Sequence, residues 1–286
     1  MTHYANPAHH THSAKQAKPY GHGVKQFYVN YVYQPALRLG FRVALKLFYG
    51  FEVYGLEHIA PLPGPVILAG NHTGLLDTPM LVCATAGYLG PTTFMTGADV
   101  LRWPVIGHLV KRWGVLPVSP RTLKATMAEA QAQLSTGRNL CIFPEGRLSE
   151  TGALLPFQKG VAYLQQKTGA PIVPFALHGG FEAWPWGRLL PRLFCGRRRI
   201  RLAVHLGAPL YPAATATANE VTEALFDAVQ QLMACPDVSD VSNAPKCPEY
   251  PLPQTKKTLF GHFQKRLKNK LYMHKTSFLK KRASFF

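Results

Sequence analysis

Short apolar runs alternate with longer amphipathic segments from residue 54 onward. "PVILAG" (65–70) is wholly apolar, the pattern of a strand covered on both faces. "LLDTPMLVCATAGYL" (75–89) after it predicts a helix. "TTFMT" (92–96) and "GVLPVS" (114–119) predict strands. "TLKATMAEAQAQLSTG" (122–137) predicts a helix closed by glycine, and "NLCIFP" (139–144) another strand. "KGVAYLQQKTG" (159–169) predicts a second glycine-closed helix. "PIVPFALHG" (171–179) and "RIRLAVHLGAPL" (199–210) predict strands, and "NEVTEALFDAVQQLMA" (219–234) a last amphipathic helix. This order predicts an α/β fold: a single mixed, largely buried sheet flanked by helices. There is no internal repeat, and no G-x-G-x-x-G or Walker loop supports a nucleotide site.

The flanks differ. "QFYVNYVYQP" (26–35) is aromatic and is expected to stop at Pro35. In "ALRLGFRVALKLFYGF" (36–51), Arg38, Arg42 and Lys46 recur every fourth residue, one cationic line along a helix. Leu37, Phe41, Leu45 and Phe48 fall on another face. A charge on every turn does not suit a bilayer span, which needs about 20 apolar residues. It suits a membrane-docking helix in the headgroup layer, with a surface helix packed on its own domain as the alternative. Four regions follow: a polar, disordered tail (1–24), amphipathic membrane-docking helices (25–53), the α/β domain (54–235), and a proline-rich linker with a basic amphipathic tail (236–286). The segment 255–286 has no acidic residue, and Phe260, Phe263, Leu267, Leu271 and Phe278 lie near one helical stripe.

The chain has 286 residues, 47% hydrophobic, with 32 Lys and Arg against 14 Asp and Glu, a net charge of +18. Such a protein is drawn to polyanions. Much of the charge is expected in the N-terminal helix and the tail, outside the α/β body, which favours an anionic membrane surface. No nucleic-acid module with regularly spaced aromatics is visible, so no nucleic-acid partner is expected. A basic lipid- or nucleic-acid-binding protein without catalysis is the alternative from another class. Cys83, Cys141, Cys195, Cys235 and Cys247 form no CxxC pair and read as reduced thiols of a cytosolic protein. The polar start has no signal-peptide pattern, and its histidines lack ligand spacing, so no metal site is expected.

One stretch carries chemistry. In "GNHTGLLDTP" (70–79), His72 and Asp77 are five apart, about 140° around a regular helix at ~100° per residue. They meet only if the chain between them is partly loop. With Asn71 and His72 in a strand-to-helix turn and Asp77 in the next helix, the imidazole can fold back to the carboxylate. That pairs a base with its orienter, and an imidazole whose ordinary pKa is about 6.5 serves as a base at neutral pH.

H-x-x-x-x-D after an apolar strand, followed by "FPEGR", resembles the glycerolipid acyltransferase family, of which bacterial 1-acyl-sn-glycerol-3-phosphate acyltransferase is the archetype. The resemblance runs from about residue 54 to 212. It rests on four blocks in order: "NHTGLLD", "WGVLPVSPR", "FPEGRLSETGALLPFQKG" and "PIVPFALHG". It implies that His72 deprotonates the free hydroxyl of a lysophospholipid, with Asp77 orienting it, and that the alkoxide attacks an acyl thioester. The co-substrate is acyl-CoA or acyl-ACP, the latter making acyl carrier protein a partner, and no cofactor is expected. Glu145, Gly146 and Arg147 match the block that handles the acceptor's phosphate, and Arg121 and Lys159 add positive charge there. The implied place is peripheral, on the cytoplasmic face of the membrane. The chain departs from the family at three points. Gly97 aligns where a lysine is common, Pro120 delays Arg121 by one residue, and F-P-E-G-R lacks the usual threonine. "FPEGRLSETG" is more similar to the acyltransferases of lysophosphatidylethanolamine, which leaves the acceptor headgroup open.

Overall fold

The computed structural model describes residues 34–60, 62–102, 107, 115–188 and 190–235. The expectations for 1–24, for the aromatic run before Gln34 and for the linker and tail after 235 lie outside these residues. Helix α1 (Gln34–Tyr49) comes first. Pro35 sits in its opening turn, where the missing N–H would have had no intrahelical partner. Strand β1 (Glu52–Tyr54) follows, then β2 (Ile67–Gly70) and α2 (Asp77–Thr85). Next come β3 (Thr92–Gly97), β4 (Val115–Val118), α3 (Leu123–Ser135) and β5 (Asn139–Ile142). The chain continues through α4 (Gly160–Thr168), β6 (Ile172–His178) and the single turn α5 (Gly180–Ala183). A two-stranded ribbon, β7 (Phe194–Cys195) and β8 (Arg198–Arg199), precedes β9 (Ala203–Leu206). Helix α6 (Ala218–Met233) is last, and it opens with a capping box in which Thr217 and Glu220 bond each other's backbone N–H.

The seven-stranded sheet has the order β1-β9-β6-β2-β5-β3-β4. From β6 to β4 every pair is parallel, β9 runs antiparallel to β6, and β1 pairs parallel with β9. The sheet is therefore mixed, as the sequence predicts. The division expected at 53/54 falls inside β1, so the body begins before residue 54. Both faces are buried, which is why the central strands are uninterrupted apolar runs. Successive residues of β2 point to opposite faces. Ile67 and Ala69 pack with Ala130, Leu164 and Leu225 of α3, α4 and α6. Leu68 packs with Leu45, Met80 and Phe175 on the side of α1 and α2.

Helix α1 corrects one expectation. Leu45 and Tyr49 are buried in the core and Phe41 packs against it, so two of the four residues of the expected apolar line, Phe41 and Leu45, turn inward, while Phe48 is exposed. The outer apolar line is Leu39, Val43 and Leu47, all exposed. The helix carries two apolar lines, and periodicity alone does not choose between them. No helix among the described residues is long and apolar enough to cross a membrane. Cys83, Cys141 and Cys235 are free, as expected, but Cys195 is disulfide-bonded. The absence of a CxxC spacing says nothing about pairing between distant cysteines.

Candidate active site

Five parallel strands end at one edge of the sheet, where ligands of open α/β sheets bind. β2 is central among them. After Gly70 its chain turns, and Asn71 fixes the turn against β6: its side-chain amide donates to the Leu177 carbonyl at 2.9 Å, and its oxygen accepts from the Leu177 N–H at 2.7 Å. His72 then faces the opening, with 20% of its side chain exposed, while the Asp77 side chain is fully buried. The His72 Nδ1 lies 2.9 Å from Asp77 Oδ2. That oxygen also accepts the backbone N–H groups of Thr73 (2.6 Å) and Gly74 (2.9 Å). A carboxylate has acceptors only, so the third donor is His72 Nδ1–H, which leaves Nε2 with its lone pair. Asp77 opens α2, so its charge also meets the positive end of the helix dipole. Non-helical backbone from 71 to 76 is what reconciles the five-residue spacing with a direct contact.

The second wall comes from β5. The ring of Phe143 stacks on the imidazole, with centroids 3.9 Å apart and planes 13° from parallel. Glu145 is 5% exposed. Its two oxygens accept the backbone N–H of His72 (2.7 Å) and of Leu155 (3.1 Å). The Ser149 N–H in turn donates to the His72 carbonyl at 2.8 Å. Glu145 therefore clamps the histidine turn to the 145–155 loop, with both oxygens already engaged.

Burial raises the Glu145 pKa from 4.5 to about 7, and the nearby negative Asp77 adds to this, against the two backbone bonds and Arg147, which lower it. A carboxyl raised on folding stabilises fully below its unfolded pKa, and that stabilisation is lost as pH rises through about 7. Glu145→Gln mimics the neutral form at every pH. The melting temperature of the native chain, taken relative to that of Glu145→Gln, is therefore expected to be highest near the unfolded carboxyl pKa and to fall toward pH 8 (about one unit above the folded value). A difference that rises with pH would show that the ionised form is the favoured one.

The remaining expected residues fall into two groups. Gly146 turns the chain with φ 71°, a conformation that favours glycine, but its N–H donates to the Phe143 carbonyl at 3.1 Å. That N–H is therefore engaged within the turn itself. Arg147 follows it and is exposed. Lys159 is exposed beside Gln158, whose N–H donates to Pro144 at 2.8 Å, so it flanks the same turn. Arg121, in the turn after β4, is exposed at the same sheet edge but three strands from β2, about 14 Å by strand spacing. Phe143 and Asn71 gave no chemical signal of their own in the sequence, although both lie inside the quoted blocks. Gly180 gave none either. A Cβ there would stand 2.4 Å from Asp77 Oδ1.

A cavity of about 330 Å³ lined by Pro65, Leu134, Thr168, Pro171 and Tyr211 lies elsewhere, at the edge where β2 and β6 begin. The partly exposed His72, its buried carboxylate and the exposed Arg147 and Lys159 are at the other edge. Among the described residues no three His, Cys, Asp or Glu side chains cluster closely enough to hold a metal ion.

Residues 50–178 match the family model described as Acyltransferase. The chain is 30% identical over 148 residues to the chloroplastic 1-acyl-sn-glycerol-3-phosphate acyltransferase BAT2 of Brassica napus, covering 51% of this chain and 42% of that protein. It is 32% identical over 118 residues to the lyso-ornithine lipid O-acyltransferase of Pseudomonas aeruginosa, covering 40% and 43%. The match thus spans about two fifths of the length of these relatives. The crystal structure of the 1-acyl-sn-glycerophosphate acyltransferase PlsC from Thermotoga maritima superposes with a TM-score of 0.59 at 21% identity, covering 78% of this chain and 84% of that one. At that identity the likeness is one of fold.

Proposed function

We propose that the chain is a member of the glycerolipid acyltransferase family and moves an acyl chain from a thioester to the free hydroxyl of a lysophospholipid, 1-acyl-sn-glycerol-3-phosphate first among them. The observation that carries this reading is the His72–Asp77 pair, with Nδ1 held at 2.9 Å and the imidazole partly exposed. In this mechanism Nε2 takes the hydroxyl proton as the oxygen attacks the thioester carbonyl. The tetrahedral oxyanion collapses, the C–S bond breaks, and the imidazolium returns the proton to the departing thiolate. One ester and one free thiol result, whether the donor is acyl-CoA or acyl-ACP. Asp77 stabilises the imidazolium through Oδ2. Phe143 shields one face of the ring and keeps water from it.

Arg147 is assigned to the acceptor's phosphate, with Lys159 beside it, because a guanidinium meets phosphate with paired donors. Arg147→Ala is expected to raise KM for the lysolipid roughly 10–100-fold, the loss of one charge-assisted bond, with kcat little changed. A change in the donor's KM alone would move Arg147 to the other pocket. The acceptor is tested by thiol release from the full chain with lysophosphatidic acid, lysophosphatidylethanolamine and lyso-ornithine lipid side by side. The last is included because two similar proteins bear that substrate in their names. Silence with all three, on either thioester, would end the acyl-transfer reading. An amphiphilic substrate also favours a peripheral protein, which we assign to the cytoplasmic face with the outer line of α1 toward the lipid.

A further inference from the structure

The segment 188–201, RLLPRLFCGRRRIR, holds six arginines and no acidic residue. It belongs to the α/β body, so the basic charge is not confined to the N-terminal helix and the tail. Within it β7 and β8 pair antiparallel, Phe194 opposite Arg199 and Cys195 opposite Arg198. Cys195 and Ile200 turn into the core. Leu190 and Phe194 do the reverse, at 69% and 57% exposure. Arg197, Arg198 and Arg201 are exposed and make no ion pair among the described residues.

Two sets of bonds locate this ribbon. The Arg199 guanidinium donates to the carbonyls of Leu47 and Phe48, two of the groups the end of α1 leaves without helical partners. That sets Phe194 and its neighbours beside exposed Leu47 and Phe48. On the other side, the Arg192 N–H donates to Ala183, and Trp184 accepts the N–H of Leu75, inside the His72–Asp77 turn. The topology agrees: β9 runs antiparallel to β6, so the residues entering it lie at the edge where β2 and β6 end.

We propose that the ribbon, with the outer line of α1, is one continuous face that docks on an anionic bilayer, Leu190 and Phe194 entering it and the arginines pairing with headgroup phosphates. Exposed large apolar side chains beside unpaired guanidinium groups fit a surface that is apolar within and anionic at its rim. A nucleic acid would satisfy the arginines but not Leu190. The inference rests on the lysolipid reading only for its purpose, which is to bring the bilayer to the edge where His72 opens.

The test is flotation of the full chain on phosphatidylcholine vesicles with and without phosphatidylglycerol. Arg197→Ala/Arg198→Ala is expected to weaken binding to anionic vesicles roughly 25-fold, about fivefold per arginine, and to spare neutral ones. Leu190→Ser/Phe194→Ser is expected to weaken both. All four side chains are exposed, so unchanged melting temperatures are expected and establish folding. Thiol release with a short-chain lysolipid below its micellar concentration should stay at the native level in both variants, while release with vesicle-borne lysolipid falls. Native flotation of both variants overturns the proposal, as does binding to duplex DNA but not to vesicles. Altered flotation without any thiol release from the native chain leaves the docking face standing and removes the catalytic reading.

Discussion

Replacing His72 with alanine is expected to lower acyl transfer by about 10²–10⁴-fold, the range that loss of a general base produces. The reason is local. A lysolipid hydroxyl is a weak nucleophile until a base takes its proton, and His72 Nε2 is the basic atom that the Nδ1–Asp77 bond leaves available at this edge. Asp77→Asn should cost less. The amide oxygen can keep the Thr73 and Gly74 bonds and still accept from Nδ1–H, so ring orientation survives and only the charge facing the imidazolium is lost. The measurement is kcat for both variants under saturating donor, with circular dichroism and melting as controls on folding. A folded His72→Ala protein within tenfold of native kcat would remove the histidine from the chemistry.

The second large effect is expected at Gly180, which no motif contains. Its Cα faces the free Oδ1 of Asp77, and an added Cβ would lie 2.4 Å from that oxygen and 3.1 Å from Thr73 Oγ1. Contacts that short force a shift. The Asp77 carboxylate is the movable party, yet its Oδ2 is tied to two backbone N–H groups and the imidazole. Relief therefore comes by turning the carboxylate out of line with His72. Gly180→Ala is expected to cut kcat roughly 100-fold, near the lower end of base loss, while leaving lysolipid KM within a few-fold. Its α5 backbone is already helical, so the melting temperature should move little. A large drop in stability with normal kcat per folded molecule would show that the surroundings yield and the carboxylate does not.

Most of the sheet is readable because β2, β5 and β6 are apolar on both faces, which leaves few alternatives to a buried strand. β1, with three residues, and β7 and β8, with two each, are too short to impose a period on the chain. Helix α1 is visible but its orientation is not, because apolar residues occupy two of its lines and only packing selects Leu45 over Leu47. At the site, His72 and Asp77 are legible from their spacing together with the strand before them. The Glu145 clamp is not, because a block can mark a glutamate without saying that both of its oxygens bond backbone N–H groups. Phe143 and Gly180 act through proximity alone, and proximity between residues so far apart in the chain has no signature in one sequence.

That contrast bears on how the molecule assembles. The His72–Asp77 contact spans five residues, but the two fastenings of the same turn span 73 residues to Glu145 and 106 to Leu177. Closing loops of that length is entropically costly and is repaid only when the β2–β5 and β2–β6 pairings form. The base and its carboxylate can meet early in a folding chain, whereas the wall that aims them is among the last parts to close. Completion of the proposed site is thus expected to come late in the folding of each chain, after most of its helices have formed.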